Sequence, residues 1–169
     1  MNTRPLSVLL IEDDPNDARL LQEILVAARY APISLTHAEQ LAAGLDRLGV
    51  KRFDLILLDL ALPDSTGLET FLRVRDRVPD LPVIVFVESD DALGVAAVQA
   101  GAQDYLVKGQ VTGGLLIRAI RYAVERSRMQ ATLRSQSWTD DLTGLYNRRE
   151  FFQLGQRVKM MLDIVEQMA

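Results

Sequence analysis

Three carboxylates and one amine stand at chain positions where side chains can be gathered to do chemistry: Glu12, Asp13, Asp59 and Lys108. Asp59 directly follows Leu55-Ile56-Leu57-Leu58. That run is apolar on both faces and suits a strand in the middle of a parallel sheet. Leu60 to Pro63 cannot continue a central strand, and Asp64-Ser65-Thr66-Gly67 reads as a loop turning into a helix. Asp59 is therefore expected at the carboxyl end of a central strand, where open α/β sheets collect their ligands. Taken alone, such an Asp caps a turn as readily as it reacts. Glu12-Asp13 follows a second apolar run, Leu6 to Ile11, and Lys108 follows a third, Asp104-Tyr105-Leu106-Val107.

If these groups converge, their charges limit what they can do. Carboxylates within a few ångströms raise one another's pKa and oppose ionisation. Lys108 offsets one charge of three. The natural remainder is a hard divalent ion ringed by oxygens; Mg²⁺ keeps waters and takes one or two carboxylates plus a phosphate oxygen. A site of that kind is equipped for phosphoryl transfer, with a carboxylate as nucleophile and an aspartyl phosphate as product. The alternative is that the acids merely cap the first helix and satisfy loops.

The elements that must position these residues alternate regularly. Strands are expected at Leu6–Ile11, Ile33–Thr36, Leu55–Leu58, Pro82–Val87 and Asp104–Val107. Between them run helices: from Pro15, with Asp14 as N-cap, to about Arg29; from Ala38 to Leu48, ended by Gly49; from Gly67 to before Pro79; and from Asp90 or Asp91 to Ala100-Gly101. Five βα units imply a doubly wound, flavodoxin-like parallel sheet with right-handed crossovers and strand order 2-1-3-4-5. Strands one and three are then neighbours. Glu12, Asp13 and Asp59 meet at the switch point, and Lys108 can reach them.

Composition narrows the setting. The chain has 169 residues, 49% of them hydrophobic, and a net charge of −4. This suits one domain with an appendage and gives no sign of a nucleic-acid binder. With no Cys there is no disulfide or thiolate chemistry. No apolar run is long enough for a membrane span, and the N-terminus lacks the apolar core of a signal peptide. A soluble, cytoplasmic protein is expected.

From Thr112 a fifth helix begins, with Leu115, Leu116, Ala119, Ile120, Ala123 and Val124 on one face. Beyond Glu125 it turns basic and polar and is expected to continue, off the domain, to about Ser137. An isolated polar helix of that length is marginal, so pairing in a homodimer is expected, although Ser127 and Arg134 interrupt a strict heptad seam. His37 is expected on the surface, Gly113-Gly114 in a loop before the fifth helix, and Trp138 at the junction with the last segment.

At these residues the sequence resembles a response-regulator receiver domain over positions 6 to about 125. The acidic pair Glu12-Asp13 carries the resemblance, with Leu58-Asp59 followed by Leu62-Pro63 and Gly67, and with Lys108 after Asp104-Tyr105-Leu106-Val107. The resemblance implies that Asp59 accepts a phosphoryl group from a histidine kinase or phosphotransfer protein. It implies Mg²⁺ held by Asp13 and Asp59, by Glu12 through water and by the backbone carbonyl of Ala61. It gives Lys108 the phosphoryl group to hold and Tyr105 the family's aromatic switch position. Two positions depart from the pattern. A receiver carries Thr or Ser at the end of strand four; Val87 stands there, with Ser89 as a substitute two residues on. The Lys is usually followed by a cis Pro, and here by Gly109.

Asp141-Leu142-Thr143-Gly144-Leu145 with Asn147-Arg148-Arg149 is similar to the opening of a diguanylate cyclase (GGDEF) domain, whose own signature is absent. The expected layout is a receiver over 1–125, a linker helix over 126–138 and a cyclase fragment over 139–169, with no catalytic activity of its own. A pseudo-receiver, which keeps the fold and binds partners without a phosphorylation switch, competes with this reading. An aspartate-nucleophile phosphatase would carry a second Asp where Ala61 stands. A flavin or dinucleotide site would need a Gly-rich turn where the sequence is acidic.

Overall fold

The computed structural model describes residues 4–29, 31–89 and 91–137. The chain divides into two units, Met1–Ser127 and Arg128–Ala169. In the first, β1 (Leu6–Ile11), α1 (Pro15–Ala27), β2 (Ile33–Ala38), α2 (Leu41–Val50) and β3 (Leu55–Asp59) come in order. They are followed by β4 (Ala61–Leu62), β5 (Ser65–Thr66), α3 (Leu68–Arg77), β6 (Val83–Val87), α4 (Asp91–Gln99) and β7 (Asp104–Val107). A single 3₁₀ turn, Lys108–Gln110, leads into α5 (Gly113–Ser137), which runs on into the second unit. Trp138 and the segment 139–169, expected to be a cyclase fragment, lie outside the described residues.

Five strands pair in parallel in the order β2-β1-β3-β6-β7, the arrangement expected from the alternating pattern. The apolar runs explain the order. β3 and β6 are buried at every position, whereas β2 alternates with exposed residues and takes an edge. Successive strand residues point to opposite faces, so the same runs feed two cores. Val8, Leu10, Leu55, Leu57, Ile84 and Phe86 meet α1 and α5 through Leu21, Leu25, Leu116 and Ile120. Leu9, Ile11, Ile56, Leu58, Val83 and Val85 meet α2, α3 and α4 through Leu41, Phe71, Val74 and Ala97.

Local differences from the expected elements have physical causes. α2 begins at Leu41, three residues late, because its N-terminus is capped from elsewhere. Gln40 makes no side-chain cap bond. The carboxylate of Asp64 accepts instead from the amides of Leu41 and Ala42, both at 2.9 Å. Gly49 lies inside α2 rather than ending it, and Gly113-Gly114 open α5 rather than forming a loop. The turn after Asp59 is a small antiparallel hairpin, β4 with β5. Gly67 closes it at φ 71°, in the left-handed region that favours glycine, and donates its amide to the carbonyl of Leu60 at 2.7 Å.

Asp64 thus ties the loop after β3 to α2. Burial works against its ionisation, but the two amide bonds outweigh it and hold its carboxyl below the usual range. Asp64→Ala is expected to cost about 0.5–2 kcal/mol in a urea melt, the range for a lost N-cap. The cap stabilises above the ordinary value of 3.8 and is lost as pH falls below it.

Candidate functional site

Glu12 and Asp13 directly follow β1, Asp59 ends β3, and Lys108 follows β7. Because β1 and β3 are neighbours in register, with Ile11 opposite Leu58, their two acidic ends are adjacent. Glu12, Asp13 and Asp59 each offer a carboxylate oxygen within 4.8 Å of the others. Asp13 is exposed, while Glu12 and Asp59 are buried, at 0% and 2% exposure.

The fold brings the amine to the same point. Lys108 Nζ donates to Asp59 Oδ2 at 2.8 Å and lies 2.9 Å from Glu12 Oε2. The Glu12 contact is an ion pair off the axis of a directed hydrogen bond, so that oxygen lacks a hydrogen-bond partner. Asp59 Oδ1 accepts from the amide of Ala61 at 3.0 Å. Ala61 itself is exposed.

The electrostatics follow from this crowding. Burial pushes the Glu12 carboxyl up to about 7, and the nearby Asp59 charge adds to it; Lys108 and the Asp14 amide pull the other way. Burial alone would lower Lys108, yet its contacts with the carboxylates of Asp59, Glu12 and Asp17 push its pKa above the ordinary value. One ammonium cannot neutralise three carboxylates. With all three ionised, an excess of two negative charges remains, which matches a divalent cation. Three carboxylate oxygens grouped at this spacing are the donor type that a hard divalent ion takes.

The remaining expected residues fall at different places. Val87 is buried at 2% exposure, paired with Val107 across β6 and β7. Ser89 lies beyond the strand and is exposed. Tyr105 is half-buried, its ring laid on α4 over Gly94: a Cβ there would lie 2.2 Å from Tyr105 Cδ2 and 2.5 Å from Cγ. Gly94→Ala is therefore expected to displace the whole ring and cost about 1–3 kcal/mol. A double-mutant cycle with Tyr105→Ala checks this, since the penalty disappears when the ring is absent. Among the described residues there are no cis peptide bonds, and Lys108–Gly109 is trans.

Sequence reasoning missed Asp17, Glu88 and the partner of His37. Asp17 Oδ2 accepts from Lys108 Nζ at 3.0 Å, and Glu88 Oε1 lies 3.5 Å away. Asp17 is an acid in the first turn of α1 and was not singled out in the sequence. The signal available was its place one turn after the acidic pair, on the same loop–helix junction. His37 is exposed as expected, but its Nε2 meets the carbonyl oxygen of Glu12 at 2.8 Å, donating as the Nε2–H tautomer. A groove of ≈ 600 Å³ lies away from this chemistry, between the end of α1 and the start of α5.

Comparison with known proteins agrees with this geometry. Residues 8–121 match the response regulator receiver domain family. The chain is 37% identical over 121 residues to the KDP operon transcriptional regulatory protein KdpE of Escherichia coli, covering 71% of this chain and 52% of that protein. It is 30% identical over 150 residues to the response regulator ArlR of Staphylococcus epidermidis, covering 88% and 63%. A CheY-like receiver domain protein from Methanospirillum hungatei shares the fold, with TM-score 0.66 and 22% identity, over 75% of this chain and 99% of that one. The chain spans about half the length of the first curated relatives it matches, from 45% to 63%. Among the described residues no helix is long and apolar enough to cross a membrane. With the matched residues reaching from β1 into α5, the chain belongs to the response regulator receiver domain family.

Proposed function

We propose that this chain is the receiver of a cytoplasmic two-component system, phosphorylated on Asp59. The observation that carries the reading is the meeting of three carboxylates within 4.8 Å, one of which takes the Lys108 ammonium at 2.8 Å. A carboxylate oxygen of Asp59 attacks the phosphorus of a phosphohistidine on a kinase or phosphotransfer protein. A P–O bond forms as the P–N bond breaks, and the imidazole leaves with the electron pair and takes a proton from solvent. Glu12, Asp13, Asp59 and the carbonyl of Ala61 are the residues to hold Mg²⁺, which when bound offsets charge on the phosphoryl oxygens. Lys108, already on Asp59, would offset the same charge and keep the group oriented. The chain is not itself an enzyme in this reading.

Downstream, we read a receiver over 1–125, a linker helix over 126–138 and the start of a cyclase-like output over 139–169. In this layout the helix pairs in a homodimer and carries the signal. The polar stretch beyond Glu125 and the Asp141-Leu142-Thr143-Gly144 motif support it. A second reading, a pseudo-receiver that binds partners without switching, is favoured by the buried Val87. A charge-assisted hydrogen bond worth roughly 1.5–3 kcal/mol would be missing from the phosphorylated state there.

Incubation with acetyl phosphate and Mg²⁺, followed by intact mass measurement, tests the first reading. The expected result is one phosphoryl adduct on the wild type and none on Asp59→Ala. No adduct, or one that survives the substitution, overturns it.

A further inference from the structure

An ammonium has three protons to donate, and Lys108 has four carboxylates around it. Asp59, Glu12 and Asp17 lie at 2.8, 2.9 and 3.0 Å, and Glu88 at 3.5 Å. Two of the close partners are buried ends of strands. The third, Asp17, sits in the first turn of α1 with its side chain 39% exposed. It belongs to neither the acid cluster nor the α1 cap, which Asp14 supplies. Beside the pair is a cavity of ≈ 20 Å³ lined in part by Glu12, Asp17, Phe86 and Lys108, room for about one water molecule.

We propose that Asp17 is a positioning residue for Lys108, and that phosphorylation of Asp59 draws the ammonium off Asp17 and loosens the first turn of α1. The inference rests on Asp59 being the phosphoryl acceptor. A phosphoryl group brings charged oxygens that compete strongly for ammonium protons. Lys108 then has one acceptor too many, and the partner released is the one easiest to solvate. Glu12 and Asp59, at 0% and 2% exposure, are cut off from bulk solvent. Asp17, at 39% exposure, reaches it and has the positive end of the helix dipole to stabilise it. Val87 sharpens the effect. The end of β6 offers the phosphoryl group an aliphatic side chain and no hydroxyl, so the pull falls on Lys108. The response is thereby directed toward α1, on the opposite face of the sheet from α4.

Hydrogen exchange on the full chain tests this, in EDTA, in Mg²⁺ alone and in Mg²⁺ with acetyl phosphate, with intact mass taken on the same samples. The amides of Ala18 to Leu21 are expected to exchange about twofold to fivefold faster in the phosphorylated protein than in Mg²⁺ alone, the range for loss of a part-exposed ion pair. Asp17→Asn is expected to show the faster exchange before phosphorylation, to take the adduct, and to change no further. Asp17→Glu restores the response, which a purely helix-stabilising role for Asp17 would not require. An adduct with unchanged α1 exchange, or Asp17→Asn responding like wild type, overturns the assignment and leaves the acceptor role standing. A wild type that takes no adduct overturns the acceptor role and this inference with it.

Discussion

Lys108→Ala is expected to lower the stability of the fold by about 3–5 kcal/mol in urea melts at neutral pH in EDTA, the range for breaking a buried ion pair by removing one partner. Lys108 is 13% exposed, and its two strand-end partners are 0% and 2% exposed. Truncation leaves Glu12 and Asp59 facing each other without the cation, and water entering its place brings no charge to offset theirs. Two features bound the loss. Glu12 already titrates at about 7, so on further crowding it takes up a proton and relieves part of the repulsion. The penalty should therefore shrink as pH falls. A divalent cation does the same by charge, so Mg²⁺ should recover part of the lost stability in the variant. A Lys108→Ala protein that melts within about 1 kcal/mol of wild type in EDTA would show that the lysine is as weakly coupled as a surface ion pair.

The second large effect is a pH dependence carried by Glu12. Its carboxyl sits at about 7 in the fold against 4.5 ordinarily, chiefly because it is buried. Between these values the folded protein keeps a proton that the unfolded chain has released. Folding then binds protons, and stability must fall as pH rises through the window. A shift of this size corresponds to about 3 kcal/mol at 1.36 kcal/mol per pH unit. The contribution is fully present below pH 4.5 and gone above about 7. Lys108 does not blur the window: its raised pKa makes a contribution that is complete below its ordinary 10.5. Asp14 and Asp64, both held low by backbone amide bonds, lose their contributions only below 3.8.

Magnesium should reverse the trend. A cation held by the acid cluster competes with the Glu12 proton, so its stabilisation should be small below pH 4.5 and largest above about 7. Melts across that range, with Mg²⁺ and with EDTA, measure both slopes. Glu12→Gln should flatten the EDTA curve. A wild-type curve already flat in EDTA would mean that Glu12 is solvated well enough to ionise at its ordinary value.

The two effects share one origin, too many carboxylates for one ammonium, and that origin shows which parts of the molecule were legible beforehand. Apolar runs such as Leu55–Leu58 and Val83–Val87 are buried on both faces, which only a central parallel strand requires. Their alternation with helical segments limited the connections to a doubly wound sheet. The residues ending those runs were then bound to gather at one edge, so the meeting of Glu12, Asp13, Asp59 and Lys108 could be read from order alone. The same logic gave Asp14 as the cap of α1, since a local cap is written in adjacent residues.

What could not be read were partnerships between distant segments that leave no periodic trace. Asp64 caps α2 from 23 residues away, so the start of α2 was misplaced. Gly94 makes room for the Tyr105 ring, although a glycine within a helix looks only like a weak spot. Asp17 reaches Lys108 across 91 residues of chain, and nothing about an acid in a helix's first turn announces a lysine above it. By itself, then, the sequence determined the sheet, its order and the four groups at its edge, because burial and alternation act on consecutive residues. Only the tertiary structure decided how many carboxylates share that lysine and which helix end Asp64 holds, because those depend on distances that close after the layers have packed.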